Sequence, residues 1–205
     1  MHLPFNATVY SSDHVCGRVA AIIVQPHNQT VTHLVVCRTM RQRTVERLVA
    51  MRLVSHSQAG GIYLDYPQRI FDYLPKFTTM AEQTLSSLDY ALLGSSLIYP
   101  EAPLEMEKKV VPHCNVPPNC VALYADTPIR ATNGRFGTLT TLITAPNSHR
   151  ISHLVVQHRQ LWKRHQVTLP IEHILDIGEH QIRLQLNKQA ATNLNTTLPK
   201  LRIMT

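Results

Sequence analysis

Runs of apolar and β-branched residues along the first third of the chain predict β-strands. Residues 14–25 (HVCGRVAAIIVQ) and 30–38 (TVTHLVVCR) form two such runs, and the turn sequence PHNQ separates them. This arrangement is typical of a β-hairpin. The pattern of apolar and polar positions then predicts two further strands, over 43–50 and 61–66.

The last third of the chain repeats this pattern. A run over 134–144 (GRFGTLTTLIT) is preceded by an Asn-Gly turn signal and followed by the turn APNSH and a second run over 150–158. Further strands are predicted over 161–170 and 181–187. Segments such as AAIIV are apolar at successive positions. Small closed barrels show this when one face fills the barrel and the other packs on a neighbour.

An internal duplication accounts for the similarity of the two thirds. The tetrapeptide HLVV occurs at 33–36 and again at 153–156, an offset of 120 residues. The same offset pairs a glycine with a glycine and a proline with a proline, and each of these residues fixes a backbone requirement. The pairs at this offset are Gly17/Gly137, Pro26/Pro146, His33/His153, Val54/Ile174, Ile62/Ile182 and Leu64/Leu184.

The offset is expected to change towards the start of each copy. Tyr10 matches Tyr124 if the second copy carries six extra residues before its glycine, within TPIRATNGRFG. Insertions at turns are a common way for repeats to diverge.

Between the repeats, the sequence predicts one helix over 80–93. Thr79 and Glu82 have the spacing of a capping box, and leucines recur after them at helical spacing. We expect Leu88 and its apolar neighbours to be buried against a barrel or a partner. A proline-punctuated, extended linker follows the helix.

Charge is unevenly distributed along the 205 residues, which carry a net charge of +7. Residues 1–77 hold eight Lys or Arg and four Asp or Glu, and residues 119–205 hold ten and four. Residues 78–118 hold two and five. Two basic regions therefore flank an acidic connector, and this pattern favours an anionic partner for the basic regions.

The four cysteines are expected to be free thiols of an intracellular protein. The close pair in HCNVPPNC has a C-x5-C spacing, which is wider than the knuckles of structural zinc sites, so no metal site is predicted. The start of the chain lacks a basic region and an apolar core typical of a secretion signal, and no apolar run is long enough to cross a bilayer. We expect a cytoplasmic location, including the cytoplasmic face of a membrane.

The order of these signals resembles the PRC-barrel domain family. The residues that carry the resemblance are the glycine turn, the long hairpin containing HLVV, the segment VTLPIEHILDI at 167–177, the short strand QIRLQL at 181–186 and a closing Leu-Pro pair. The first copy departs from the pattern because Ala50 replaces the proline found at Pro170. The resemblance covers 9–75 and 121–199 and includes no catalytic signature.

This resemblance implies a mainly β fold with two small barrels of the PRC type, related by pseudo-twofold symmetry and joined by the helix and the proline-rich linker. The family includes the cytoplasmic domain of the photosynthetic reaction-centre H subunit and the barrel of a ribosome maturation factor. The chain lacks the membrane helix of the former and the distinct N-terminal domain of the latter. The expected organisation is a first repeat over 1–78, the helix and linker over 79–118, and a second repeat over 119–205.

No enzymatic activity and no cofactor are expected. The sequence contains no nucleophile elbow, no zinc-protease motif and no phosphate-binding glycine loop. His33 and His153 are equivalent in the two copies, but histidines within hairpin strands are more often packed side chains than catalytic bases. Ligands that would complete a metal site with them are not identified.

Basic residues cluster at the same hairpin end in both copies, and the second cluster includes the single tryptophan. Lysine and arginine are also frequent at solvated hairpin ends, so the cluster alone does not define a binding site. Tryptophan and arginine, however, are enriched among the residues that dominate binding interfaces. The candidate partner-binding residues are Arg38, Arg41, Arg43, Arg159, Trp162, Lys163 and Arg164.

The sequence favours a docking or assembly subunit that binds a protein complex, and the most concrete target implied by the family is the cytoplasmic face of a photosynthetic reaction centre. The basic hairpin ends also suit an anionic membrane surface. A second hypothesis is an RNA-processing or ribosome-assembly protein, which the positive charge favours. A third is a small-ligand-binding or stress-related barrel, which requires an apolar pocket.

Overall fold

The structure is a computed structural model that describes most of the chain. It divides the chain into two compact units, Met1–Lys76 with Val116–Thr205, and Phe77–Asn115. The described residues are 1–12, 14–40, 43–58, 61–84, 108–145, 147–160 and 163–194.

The described part of the chain is mainly β. The first half of the larger unit contains β1 (His2–Pro4), β2 (Thr8–Tyr10), β3 (Val15–Gln25), β4 (Thr30–Met40), β5 (Arg43–Ala50), β6 (Val54–Gln58), β7 (Gly61–Leu64) and helix α1 (Gln68–Phe71). The smaller unit contains β8 (Thr78–Thr84) and β9 (Lys108–Cys114). The second half of the larger unit contains β10 (Val121–Tyr124), β11 (Pro128–Ala131), β12 (Gly134–Thr144), β13 (Ile151–Gln160), β14 (Lys163–Pro170), β15 (Ile174–Ile177), β16 (Ile182–Leu184) and helix α2 (Lys188–Asn193).

The larger unit contains two curled, seven-stranded sheets that form half-barrels. The N sheet has the order β5-β4-β3-β2-β7-β6, and the C sheet has the order β14-β13-β12-β11-β16-β15. The order is therefore the same in both. Each sheet also contains one parallel pair at the same place, β2 with β7 and β11 with β16. The hairpins predicted from the apolar runs are confirmed.

The seventh strand of each sheet comes from the other half of the chain. β1 pairs with β12 of the C sheet, with Leu3 opposite Leu142. β10 pairs with β3 of the N sheet, with Leu123 opposite Ile22. The two sheets thus exchange their first strands.

The turns at the ends of the long hairpins also join the two sheets. Val31 donates its backbone N–H to His149 O at 3.0 Å, and Ile151 donates to Gln29 O at 2.8 Å. These reciprocal bonds link residues that are equivalent at the offset of 120. The isolated bridge between Thr30 and Arg150 lies beside them.

The offset of 120 also holds at the start of each copy, so the predicted six-residue insertion is wrong. Asn6 and Asp126 both have positive φ angles, 60° and 67°. Their N–H groups donate to equivalent carbonyls of Val19 and Leu139, at 2.9 and 3.2 Å. Tyr124 lies in the exchanged strand β10 and therefore corresponds to Pro4 of β1, whereas Tyr10 corresponds to Arg130.

The hydrophobic core of the larger unit draws on both sheets and on the exchanged strands. Leu3, Ile22, Leu34, Leu142 and Leu154 are all fully buried. Residues 21–24 of β3 are buried at every position, as expected for a strand that is apolar on both faces. Burying one such side chain stabilises the fold by roughly 1.5–3 kcal/mol.

The helix predicted over 80–93 is contradicted in its described part. Thr78–Thr84 forms strand β8, which pairs antiparallel with β9 from Thr78 opposite Cys114 to Thr84 opposite Lys108. The capping-box spacing of Thr79 and Glu82 predicted a helix start here. The backbone of this segment is instead paired across strands with β9. Such local signals are weak against tertiary pairing. The residues 85–93 lie outside the described residues.

Part of the predicted extended linker is also strand. Pro112 lies within β9, opposite Met80, and a two-stranded sheet has only edge strands, where proline is tolerated. Across the described ranges, no helix has the length and apolar character needed to cross a bilayer.

Candidate partner-binding surfaces

The predicted basic cluster lies at the ends of two equivalent hairpins. In the N sheet, the register of β4 with β5 runs to Met40 opposite Arg43. In the C sheet, the register of β13 with β14 runs to Gln160 opposite Lys163. The second strand of each hairpin begins at Arg43 in the N sheet and at Lys163 in the C sheet. Arg43 and Lys163 are therefore equivalent positions in the two sheets.

Arg38 is bound within the protein. Its side chain is only 13% exposed, and its guanidinium forms an ion pair with Asp72 just after α1. The guanidinium carbon also lies 5.0 Å from the centre of the Phe71 ring, a cation–π contact. Arg38 thus connects β4 to the segment around α1.

The structure describes some of the remaining candidate residues and not others. Arg43 is exposed at the first residue of β5. The backbones of Arg159 and Arg164 are paired opposite each other in β13 and β14, next to Lys163. Arg41 and Trp162 lie outside the described residues.

The two repeat-equivalent histidines occupy matching places in their sheets. His33 lies opposite Ile23 and Ala50, and His153 lies opposite Ile143 and Pro170. Burial lowers the pKa of His33, and the positive charge of Arg52 lowers it further. Its Nδ1 is buried and has no hydrogen-bond partner among the described residues.

Side chains capable of binding a metal do not cluster in the described ranges. All four cysteines are thiols that form no disulfide bond, as predicted.

A row of side chains crosses the solvent face of the N sheet. Val15, Tyr10, Tyr63 and His56 lie side by side on β3, β2, β7 and β6. The rings of Tyr10 and Tyr63 stack at 5.0 Å, and those of Tyr63 and His56 stack at 4.6 Å. Val15 is 52% exposed. We call this set the aromatic row.

The equivalent row on the C sheet is made of charged residues. Arg135, Arg130, Arg183 and Asp176 lie side by side on β12, β11, β16 and β15, and all four are exposed. Arg183 Nη2 donates to Asp176 Oδ2 at 3.0 Å. Arg130 and Arg135 have no ion-pair partner in the part of the chain that the structure describes. We call this set the arginine row.

An open groove of about 570 Å³ borders the arginine row. Arg130, Arg183, Gly134 and Leu175 are among its lining residues. Leu175 is 60% exposed although it is a large apolar side chain. The ammonium of Lys188 lies over Gly134, 3.2 Å from where a Cβ on that glycine would be. Arg130, Arg183 and Lys188 therefore give the groove positive charge, and Leu175 adds an exposed apolar side chain.

A second groove, of about 560 Å³, lies on the N sheet beside the aromatic row. It is lined by residues that include Thr8, Val15, Arg18 and Cys37. Burial raises the pKa of the Cys37 thiol, and the nearby charge of Glu46 raises it further. The thiol is thus kept neutral, which is unfavourable for a nucleophile.

Neither row was predicted from the sequence, although the constant offset between the two copies could have revealed both. A constant offset of 120 places Tyr10 on Arg130, Val15 on Arg135, Tyr63 on Arg183 and His56 on Asp176. The predicted match of Tyr10 with Tyr124 is incompatible with the pair Tyr10/Arg130. The two sheets thus carry an apolar and aromatic set and a charged set at equivalent positions.

No protein-family model matches the chain, and no curated protein matches it either.

Proposed function

We propose that the chain is a non-enzymatic docking or assembly subunit built from two PRC-barrel-like halves. The observation that supports this most directly is the repetition of the hairpin end. Arg43 and Lys163 occupy equivalent positions at the connections of two long hairpins with the same register. We infer that these two positions act as basic contact points on one chain.

Two contact points on one chain increase affinity without requiring a strong contact at either. Once one hairpin end is bound, the second binds at a high effective concentration, provided that the partner offers both sites. The partner would be a protein complex with acidic surface regions. The cytoplasmic face of a photosynthetic reaction centre remains the most concrete target that the PRC-barrel resemblance implies.

Charge reversal at both hairpin ends tests this proposal. The protein is used as bait with solubilised membranes and with ribosomes from the cells that produce it. We expect the wild type to retain a multisubunit complex, and the Arg43→Glu, Lys163→Glu double variant to bind that complex about tenfold more weakly or worse. Affinity is measured by surface plasmon resonance on the purified complex.

Arg69→Glu is the matched control, because Arg69 is an exposed arginine on α1 of the same unit. It should leave the affinity within a factor of about two, since isolated surface charges contribute little. Retention of the complex at full strength by the double variant would contradict the proposal.

The net charge of +7 also favours RNA as a second candidate partner. The two candidates respond differently to salt. Binding through phosphate contacts weakens steeply as salt rises, whereas a protein interface with apolar contacts weakens less. Loss of the retained complex after ribonuclease treatment, together with a steep salt dependence, would favour RNA.

A further inference from the structure

We propose that the arginine row of the C sheet binds an acidic segment of a protein partner, with its carboxylates on Arg130, Arg135 and Arg183 and an apolar side chain on Leu175. The surface lies outside the hairpin ends, and the inference does not depend on the function proposed for them.

The register places the three arginines at neighbouring positions on three adjacent strands. Arg130 lies directly opposite Arg135 on one side and beside Arg183 on the other. Cross-strand neighbours on one face of a sheet interact, and like charges directly opposite each other are destabilising. Asp176 offsets one of these positive charges through its bond to Arg183. The row therefore retains an excess of positive charge that an external anion would neutralise.

The fold does not require arginines at these positions. The N sheet has the same strand order and the same registers, and its equivalent residues are Val15, Tyr10 and Tyr63. Those side chains stabilise the N sheet by stacking and apolar contact. Where the N sheet has side chains that stabilise it, the C sheet has arginines that repel one another. Because the fold gains no stability from these arginines, we infer that they have a role in binding.

The groove beside the row suits a peptide better than a phosphodiester backbone. Arginine presents a planar fork that matches a carboxylate in a bidentate manner. Leu175, which lines the groove with Arg130 and Arg183, adds an exposed apolar contact. An acidic peptide offers both carboxylates and apolar side chains, and arginine with apolar residues is a common combination at protein interfaces.

The bulge in β15 explains why Leu175 faces the groove. The register with β16 shifts between Ile174 and Asp176, so Leu175 is an extra residue without a direct partner on β16. Bulges redirect a side chain in this way and often do so at binding sites. The N sheet has Ser55 at the equivalent bulge, so the apolar contact is specific to the C sheet.

The test uses the full chain and a short fluorescein-labelled peptide rich in glutamate, with leucines interspersed. Fluorescence anisotropy measures its affinity for the wild type, Arg130→Gln, Arg135→Gln and the double variant. We expect each single substitution to weaken binding about tenfold, since a hydrogen bond to a charged group contributes that order of affinity. A peptide with glutamine in place of glutamate should bind weakly to every form.

Arg150→Gln is the matched control, because Arg150 is an exposed arginine that lies just before β13, outside the row. It should bind the peptide like the wild type, as should the Arg43→Glu, Lys163→Glu variant. Equal affinity of the wild type and the Arg130, Arg135 double variant would overturn the proposal.

Stability separates a binding role from a structural one. Because the arginines repel one another, Arg130→Gln should leave the melting temperature unchanged or raise it. A lower melting temperature would mean that Arg130 supports the fold and would count against the proposal.

Labelled RNA of mixed sequence and vesicles of phosphatidylserine with phosphatidylcholine complete the comparison. If RNA or the vesicles bind to the arginine row more tightly than the peptide does, the proposal that the row binds a protein segment is wrong.

Discussion

Gly17 and Gly137 occupy positions where no side chain fits. A Cβ at Gly17 would lie 2.3 Å from the carbonyl oxygen of Cys37, and a Cβ at Gly137 would lie 2.5 Å from that of Gln157. Cys37 and Gln157 are themselves equivalent at the offset of 120. The glycine pair that first indicated the duplication therefore has one physical cause in both sheets, the close approach of a neighbouring backbone.

Substitution of Gly137 by alanine should destabilise the protein by about 1–3 kcal/mol, because the added methyl group forces the backbone of β13 to move. Urea denaturation followed by circular dichroism measures the change. Gly178→Ala is the control, since its Cβ would lie 3.4 Å from the nearest atom, an ordinary contact. The control should remain within about 0.5 kcal/mol of the wild type. Equal effects of the two substitutions would contradict the steric explanation.

His33 should make stability depend on pH. Burial and Arg52 lower its pKa in the folded state below the ordinary value of 6.5, so the unfolded chain binds the proton more readily. The stability due to neutral His33 is therefore complete above pH 6.5 and is lost as the pH falls through the lower, folded-state pKa. Urea midpoints measured at neutral and mildly acidic pH should show a smaller loss in His33→Gln than in the wild type. His153→Gln is the matched substitution in the other sheet.

At the scale of elements, apolar patterning predicted the long strands well and the short exchanged strands poorly. β3, β4, β12 and β13 are long enough for their β-branched runs to be read from the sequence. β1 contains three residues, and no local pattern specifies which distant strand it joins. The helix prediction failed for a related reason, because β8 is stabilised by pairing with β9, which follows much later in the chain.

Leu3 provides a test of the strand exchange. It is fully buried and lies opposite Leu142 in the C sheet. Leu3→Ala should cost about 2–5 kcal/mol, the usual loss for a fully buried leucine. Hydrogen exchange should show faster exchange in β12, in the second half of the chain. Tyr73→Ala, at an 88% exposed position, is the control and should change neither quantity appreciably.

Normal protection of β12 in a destabilised Leu3→Ala variant would contradict the pairing of β1 with the C sheet. The equivalent substitution, Leu123→Ala, should instead increase exchange in β3 of the N sheet, because Leu123 lies opposite Ile22.

At the scale of the whole molecule, the mainly β class could be predicted because it follows from composition and periodicity along the chain. The surfaces could be predicted only in part. A cluster such as the basic hairpin ends is contiguous in sequence and can be found there. The arginine row draws Arg130, Arg135 and Arg183 from three strands, so only the strand order brings it together. Arg38 is contiguous with the basic hairpin end in sequence, but its guanidinium is bound within the protein. The sequence could not show this, because the ion-pair partner Asp72 comes from a distant segment of the chain.

The exchange of β1 and β10 affects how the protein forms during synthesis. β1 leaves the ribosome before its partner strand β12, because the partner residues 141–143 are made about 140 residues later. The N sheet likewise stays one strand short until Val121–Tyr124 has been made. Contacts between such distant residues slow folding, because the entropy of a long loop must be lost before they form. The nascent first half therefore carries Leu3 and Phe5 without their final partners, and exposed apolar side chains of this kind make a nascent chain prone to aggregation.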